Sequence, residues 1–242
     1  MSGHLKRTKE TDDLAKATAV LREGFVCVVA HVDTAATTPK CVPMVYAYHE
    51  EGDEKLLYLH GSTAWPDTTP PSLKHLWRDG GVPVCLTVTL VDALVVGRAA
   101  ISTSLGYRSV VVDGIARKVG SKDRAKAIEA VTHQVFPGRW SELRPLKDGK
   151  GGELDTDGKH TPTTGVLSVS LTQDATVRSK THAPEGPEHE SQEDLDWDGG
   201  KAWGGILPIR QVYGPARPDQ HVKQGTAVPD AVRRLVEHGR TA

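Results

Sequence analysis

The sequence predicts a mainly β protein, a closed or partly closed antiparallel barrel with one or two covering helices, and three observations carry that expectation. From Gly24 onward most apolar residues fall in short β-rich runs separated by turn-forming clusters. Strands outnumber helical segments, and short turns join most of them. No internal repeat appears, and 242 residues fit one all-β domain, 1–242, without division.

Residues 8–22 (TKETDDLAKATAVLR) set Leu14, Ala17, Val20 and Leu21 at helical spacing, with Thr11 in a capping position. GFVCVVAHVD, KCVPMVYAYH and KLLYLHG then read as a meander of three antiparallel strands. PPSLKHLWRDGG can start a helix at Pro71 and stop it at Gly80. The run VPVCLTVTLVDALVVGRAA is too long for one straight strand, so a bend near Asp92 and Ala93 is expected to divide it into a hairpin. YRSVVVDGIARKV returns as another strand.

Residues 121–136 carry Ala125, Ile128, Val131, Val135 and Phe136 on one helical face, closed by Pro137 and Gly138. Residues 147–162 have almost no apolar content and read as an exposed insert, as do the acidic residues 179–200. Between them TGVLSVSLTQDATVR alternates as a strand. The last apolar run is AWGGILPIRQVYG, and a poorly structured tail is expected from about residue 214.

Net charge is −1, and Lys and Arg are scattered rather than gathered into a stripe, which argues against nucleic acid as a partner. The N-terminus is polar, and no run approaches the roughly 18 apolar residues of a membrane span. A soluble, cytoplasmic protein is expected. Cys27, Cys41 and Cys85 each lie in an apolar run and read as reduced core residues; with no CxxC or HxxxH pair, no metal site is expected.

Three segments could carry chemistry. In LYLHGSTAW a strand ends at His60, and Gly61, Ser62 and Thr63 offer approachable amides and two hydroxyls to a phosphate, with Lys74 as countercharge; a plain turn and a solvated lysine are the alternative. In GYRSVVV, Arg108 shares a strand face with Val110 and Val112 while Ser109 faces the other way. That arginine needs a partner, either a carboxylate such as Asp92 or Asp113 or a ligand phosphate. In AWGGILPIR, Trp203 beside bare backbone suits contact with a planar heterocycle, with Arg210 at the strand end, or is a core tryptophan.

Taken in order, YLHGSTA, PVCLTVTLVDALVVGRAA, YRSVVVDGIARKV, PGRW and WGGILPIR resemble the pyridoxamine 5'-phosphate oxidase-like FMN-binding proteins, specifically their nitroimidazole-reductase-like branch, over about residues 15–213. The resemblance implies a six-stranded antiparallel split β-barrel with a few covering helices. It also implies a homodimer with two FMN sites between the subunits. Val42, Pro43, Met44 and Val45 would wall the isoalloxazine, His60 to Thr63 would lie near ribityl and phosphate, and Lys74 would be the phosphate cation. Arg108 and Ser109 match the family's Tyr-Arg-Ser stretch as cofactor contacts. Trp203 and Arg210 would reach the flavin from the partner subunit. The chain departs from the family at Ala93, where glycine is common, and at Ser102 to Gly106, where His-Ser-Met-Asn is common. It also lacks the arginine-rich ending of true pyridoxamine phosphate oxidases, so vitamin B6 synthesis is not expected.

These readings converge on an FMN-dependent oxidoreductase, a flavin reductase or nitroreductase-like enzyme that takes hydride from a nicotinamide donor and reduces a small planar acceptor. His60 is the single candidate for proton transfer, because imidazole titrates near neutral pH. Two other readings stand beside it. Haem is one, since some split-barrel relatives ligate iron through histidine and this chain has eleven, among them His31, His49, His60, His75 and His133. A flavin-binding protein without turnover is the other.

Overall fold

The computed structural model describes residues 14–32, 38–62, 76–144 and 164–239. A helix, α1 (Leu14–Glu23), precedes five long strands: β1 (Val26–Val32), β2 (Pro39–Glu51), β3 (Glu54–Ser62), β4 (Val82–Val96) and β5 (Ser104–Lys118). Helix α2 (Arg124–Val135) follows, then β6 (Thr164–Ser170), β7 (Thr176–His182), α3 (Gln192–Gly200), β8 (Gly205–Pro208) and α4 (Asp230–His238). Every pairing is antiparallel.

Six strands close a ring in the order β5, β6, β3, β2, β1, β4 and back to β5, with β7 and β8 added outside it on β5 and β4. The ring is split at β5. One edge of that strand pairs with β4 along its length, while the other is shared, β7 taking Tyr107 to Asp113 and β6 only Ala116 to Lys118.

Strand alternation turns Cys27 and Val29, Val42, Met44 and Tyr46, Leu57 and Leu59, Leu86 and Val88, and Val110 and Val112 into the barrel. Helix α1 adds Ala17, Val20 and Leu21 to this core. Each fully buried aliphatic side chain contributes about 1.5–3 kcal/mol. The Tyr46 hydroxyl donates to the Leu21 carbonyl at 2.9 Å, satisfying a polar group the core would otherwise strand. Helix α2 packs on the outside, setting Ala127 and Val131 over Ala47, Tyr58 and Val166. The Gln134 amide donates to the carbonyls of Leu21 at 3.1 Å and Arg22 at 2.9 Å, tying the C-terminal ends of the two helices together.

Several expectations are corrected. Residues 82–96 form one strand, not a hairpin: the bend at Asp92 is a register irregularity between Val91 and Ala93, with pairing to β5 continuing on both sides. TGVLSVSLTQDATVR makes two strands, β6 and β7, which meet different stretches of β5. Within 179–200, residues up to His182 belong to β7 and 192–200 to α3, whose Ser191 and Asp194 form a capping box. The tail contains α4, which buries Ala231 and Leu235. Of the three free thiols Cys27 is buried, but Cys41 faces solvent, because it falls on the outer face of β2. The insert at 147–162 and the first half of the helix expected at 71–80 lie outside the described residues; the second half, 76–80, is described and forms no α-helix.

Candidate functional site

On the outer face of the barrel, β1 and β2 present Val26, Val28 and Val32 beside Cys41, Pro43 and Val45. The three β1 valines are exposed, and no helix among the described residues lies over them. Val26 is opposite Val45, and Val45 is opposite His60 on β3, so directly paired residues carry the patch from β1 to the strand end that holds Gly61 and Ser62. Of the four β2 residues expected to wall a ligand, Pro43 and Val45 stand on this face, while Val42 and Met44 point into the barrel core. Burial beside Val45 and Val166 pushes the His60 imidazole below its usual pKa, so the neutral ring prevails near neutral pH. Thr63 and Lys74 lie outside the described residues.

Arg108 and Ser109 fall elsewhere. Ser109 is on the outer face of β5 opposite Thr89, with β1 and β4 between it and β2. Arg108 is on the inner side, at the barrel mouth. Its guanidinium makes four hydrogen bonds, a two-point pair to Asp92 and another to Glu23 at the end of α1. The carboxylates hold Arg108 charged, well above its ordinary pKa. Of the two carboxylates named from sequence, Asp92 is the partner; Asp113 instead takes Arg178 and accepts from the Cys85 thiol. Glu23 carried no sequence signal, since its α1 position is brought to the β4 bend only by the fold.

Trp203 precedes β8 and is 66% exposed. Its indole lies against Gly205, where a Cβ would come within 3.0 Å of the ring, and a Cβ on Gly204 would meet the Arg98 guanidinium at 2.5 Å. Arg98 is itself fixed: it donates to the Ala202 carbonyl at 3.0 Å and to Glu190 at 2.6 Å, and the Glu190 side chain is 6% exposed. The two glycines of WGG are therefore what let the ring and the guanidinium close on the backbone. Arg210 follows β8 and is exposed. Register sets Ser109 level with Val26, Val45 and His60 on the outer face, through Thr89 of β4, whereas Trp203 and Arg210 flank β8.

A feature not anticipated from sequence is a cleft of about 870 Å³ between α1 and α2, floored by Tyr48 and His49 and reached by His133. Its walls are the facing helical stripes Ala15, Thr18, Ala19 and Lys126, Glu129, Ala130, a spacing that could have flagged it. Near its floor Glu50 collects Lys55, the Tyr48 hydroxyl at 2.9 Å and Arg22 at 2.7 Å, which hold its carboxyl down at about 2. Among the described residues no cluster of three or more His, Cys, Asp or Glu could hold a metal ion, and no helix is long and apolar enough to cross a membrane.

A family model described as pyridoxamine 5'-phosphate oxidase matches residues 13–172. No match was found among the curated proteins. Among solved structures the chain is similar to a FAD and heme binding protein from Mycobacterium smegmatis, with 25% identity and a TM-score of 0.73 over 94% of this chain and 97% of that one. It is similar to the flavocytochrome Anf3 from Azotobacter vinelandii, with 25% identity and a TM-score of 0.67 over 96% and 94%. A structure from Bacteroides thetaiotaomicron named for 5-nitroimidazole antibiotic resistance shows 18% identity and a TM-score of 0.49 over 72% and 87%.

Proposed function

The chain belongs to the pyridoxamine 5'-phosphate oxidase family, and from that premise we propose that it is a dimeric flavin-dependent oxidoreductase that also carries haem. One observation carries the reading: the likeness to a FAD and heme binding protein extends over nearly the full length of both chains. For the same reason FAD is preferred to FMN as the flavin. The two share the isoalloxazine, ribityl and first phosphate, so the residues expected around that half serve either.

The dimer is supported by the exposed valines of β1, since monomers rarely leave a contiguous apolar sheet face uncovered. In a dimer, Pro43, Val45 and His60 of one subunit would face Trp203 and Arg210 contributed by the other. Flavin supplies hydride and electron transfer when bound. Pro43 and Val45 offer a flat apolar wall, neutral His60 a hydrogen bond rather than a charge, and Gly61 a strand end that a ligand can approach without meeting a side chain. A nicotinamide donor and a small planar acceptor complete the proposal.

The test is the absorption spectrum of the protein as isolated, mass analysis of what it releases on denaturation, and anaerobic mixing with NADH or NADPH. Flavin bands, a FAD mass and bleaching by one donor are expected. A colourless protein with no affinity for FAD or FMN would overturn the reading, and flavin that neither donor reduces would remove the nicotinamide step.

A further inference from the structure

Leu207 on β8, Leu94 on β4 and Leu105 on β5 are direct cross-strand partners, so they form one row across the outer face, and all three are exposed. Tyr107, two residues after Leu105, continues that face and pairs with His182 on β7, their rings 5.9 Å apart. Four adjacent strands at the usual spacing give a floor about 14 Å wide. On its β7 side Lys180 stands over the Tyr107 ring at 5.6 Å. The family match ends at residue 172, whereas a likeness covering 94% of this chain to a FAD and heme binding protein necessarily runs well past it, into the segment that builds β7, α3 and β8.

We propose that this leucine row is the haem seat and that His182 is the axial ligand to iron. The inference rests on the haem part of the function proposed above. A porphyrin needs a flat apolar surface, one imidazole perpendicular to it and cations for its propionates. Side chains stand roughly upright on a sheet, so a macrocycle lying on Leu94 and Leu105 meets an imidazole rising beside them at the required angle. Lys180 supplies a cation at the edge.

Four other histidines among the described residues fit less well. His31 is buried in the barrel wall and His60 is largely buried beside Val45. In the α1–α2 cleft, the Nε2 of His49 is sealed from solvent 3.9 Å from Glu51. His133 there accepts from the Gly138 N–H through Nδ1, which leaves its proton on the nitrogen that iron would need. Among the described residues the His182 side chain has no hydrogen-bond partner, only the ring contact with Tyr107.

The test is haemin titration of the full chain, followed by the Soret band of the ferric and ferrous forms. Wild type is expected to bind with a shifted Soret band, and His182→Ala to weaken binding at least tenfold while its flavin bands persist. Added imidazole is expected to restore the His182→Ala spectrum, which shows that the seat is folded, and Leu94→Asp to lose haem with no such rescue. An unchanged Soret band in His182→Ala, or loss of it in His133→Ala, overturns the assignment. Failure of wild type itself to bind haemin overturns the haem part of the function, while the flavin bands decide the rest separately.

Discussion

Arg108 grips Asp92 with two hydrogen bonds, Nε to Oδ2 at 2.9 Å and NH2 to Oδ1 at 2.7 Å, at the point where β4 shifts register against β5. With Glu23 taking two more, four of the five N–H donors of the fork are spent inside the protein. Arg108→Ala is therefore expected to lower unfolding stability by about 1.5–3 kcal/mol, the range for charged hydrogen bonds, and to leave flavin affinity within twofold of wild type. Urea unfolding and flavin titration on the same variant check it; lost affinity at unchanged stability would return Arg108 to the cofactor site.

Arg98→Ala would leave the Glu190 carboxylate buried without its cation. A loss of about 3–5 kcal/mol is expected, as for any buried pair broken on one side. Limited proteolysis should cut between residues 183 and 204, the segment this pair pins to β4. Resistance equal to wild type would show that the latch is dispensable.

Gly204→Ala forces a methyl against a guanidinium that Glu190 and the Ala202 carbonyl hold in place, so about 1–3 kcal/mol of overpacking is expected. Gly205→Ala displaces the indole instead. Its readout is Trp203 emission, checked against Trp203→Phe to isolate that ring from the other four tryptophans.

Acid stability should report Glu50. Its carboxyl titrates near 2 in the folded protein against 4.5 as the ordinary value, so the folded state binds fewer protons between those pH values. The contribution is fully present above pH 4.5 and disappears as pH falls through 2. Glu50→Gln is expected to flatten the stability profile across that window, and identical acid limbs in the two proteins would count against the Lys55, Tyr48 and Arg22 cluster.

Val28→Lys places a charge in the middle of the uncovered β1 face without touching the core. Sedimentation should show a folded monomer with weakened flavin binding. A dimer that persists would mean that the subunits meet elsewhere.

Thiol labelling should separate the cysteines by face. Burial pushes the Cys27 thiol up to about 12, and Cys85, also raised by burial, donates to Asp113, whereas Cys41 is exposed. One rapid alkylation at Cys41 is expected at pH 8, with Cys27 reacting only on unfolding.

Much of the architecture was legible in the residues alone. β-rich runs marked β1, β2 and β3, helical spacing marked α1 and α2, and ordered motifs marked the split-barrel family, because these signals are local or depend only on order along the chain. The bend at Asp92 was legible as well, but not its form. A hairpin turn needs residues that accept positive φ, and Asp92-Ala93 has no glycine, so the ladder absorbs the extra residue and runs on. The partners of Arg108 show the same limit: Asp92 was one of two carboxylates in view, and Glu23 comes from a helix 85 residues away in sequence. Periodicity says that Val42 and Pro43 face opposite ways but not which is inside, nor that Leu207, Leu94 and Leu105 line up. Those facts belong to the tertiary structure, because they follow from which strands pair, at what register, and which face a helix leaves uncovered.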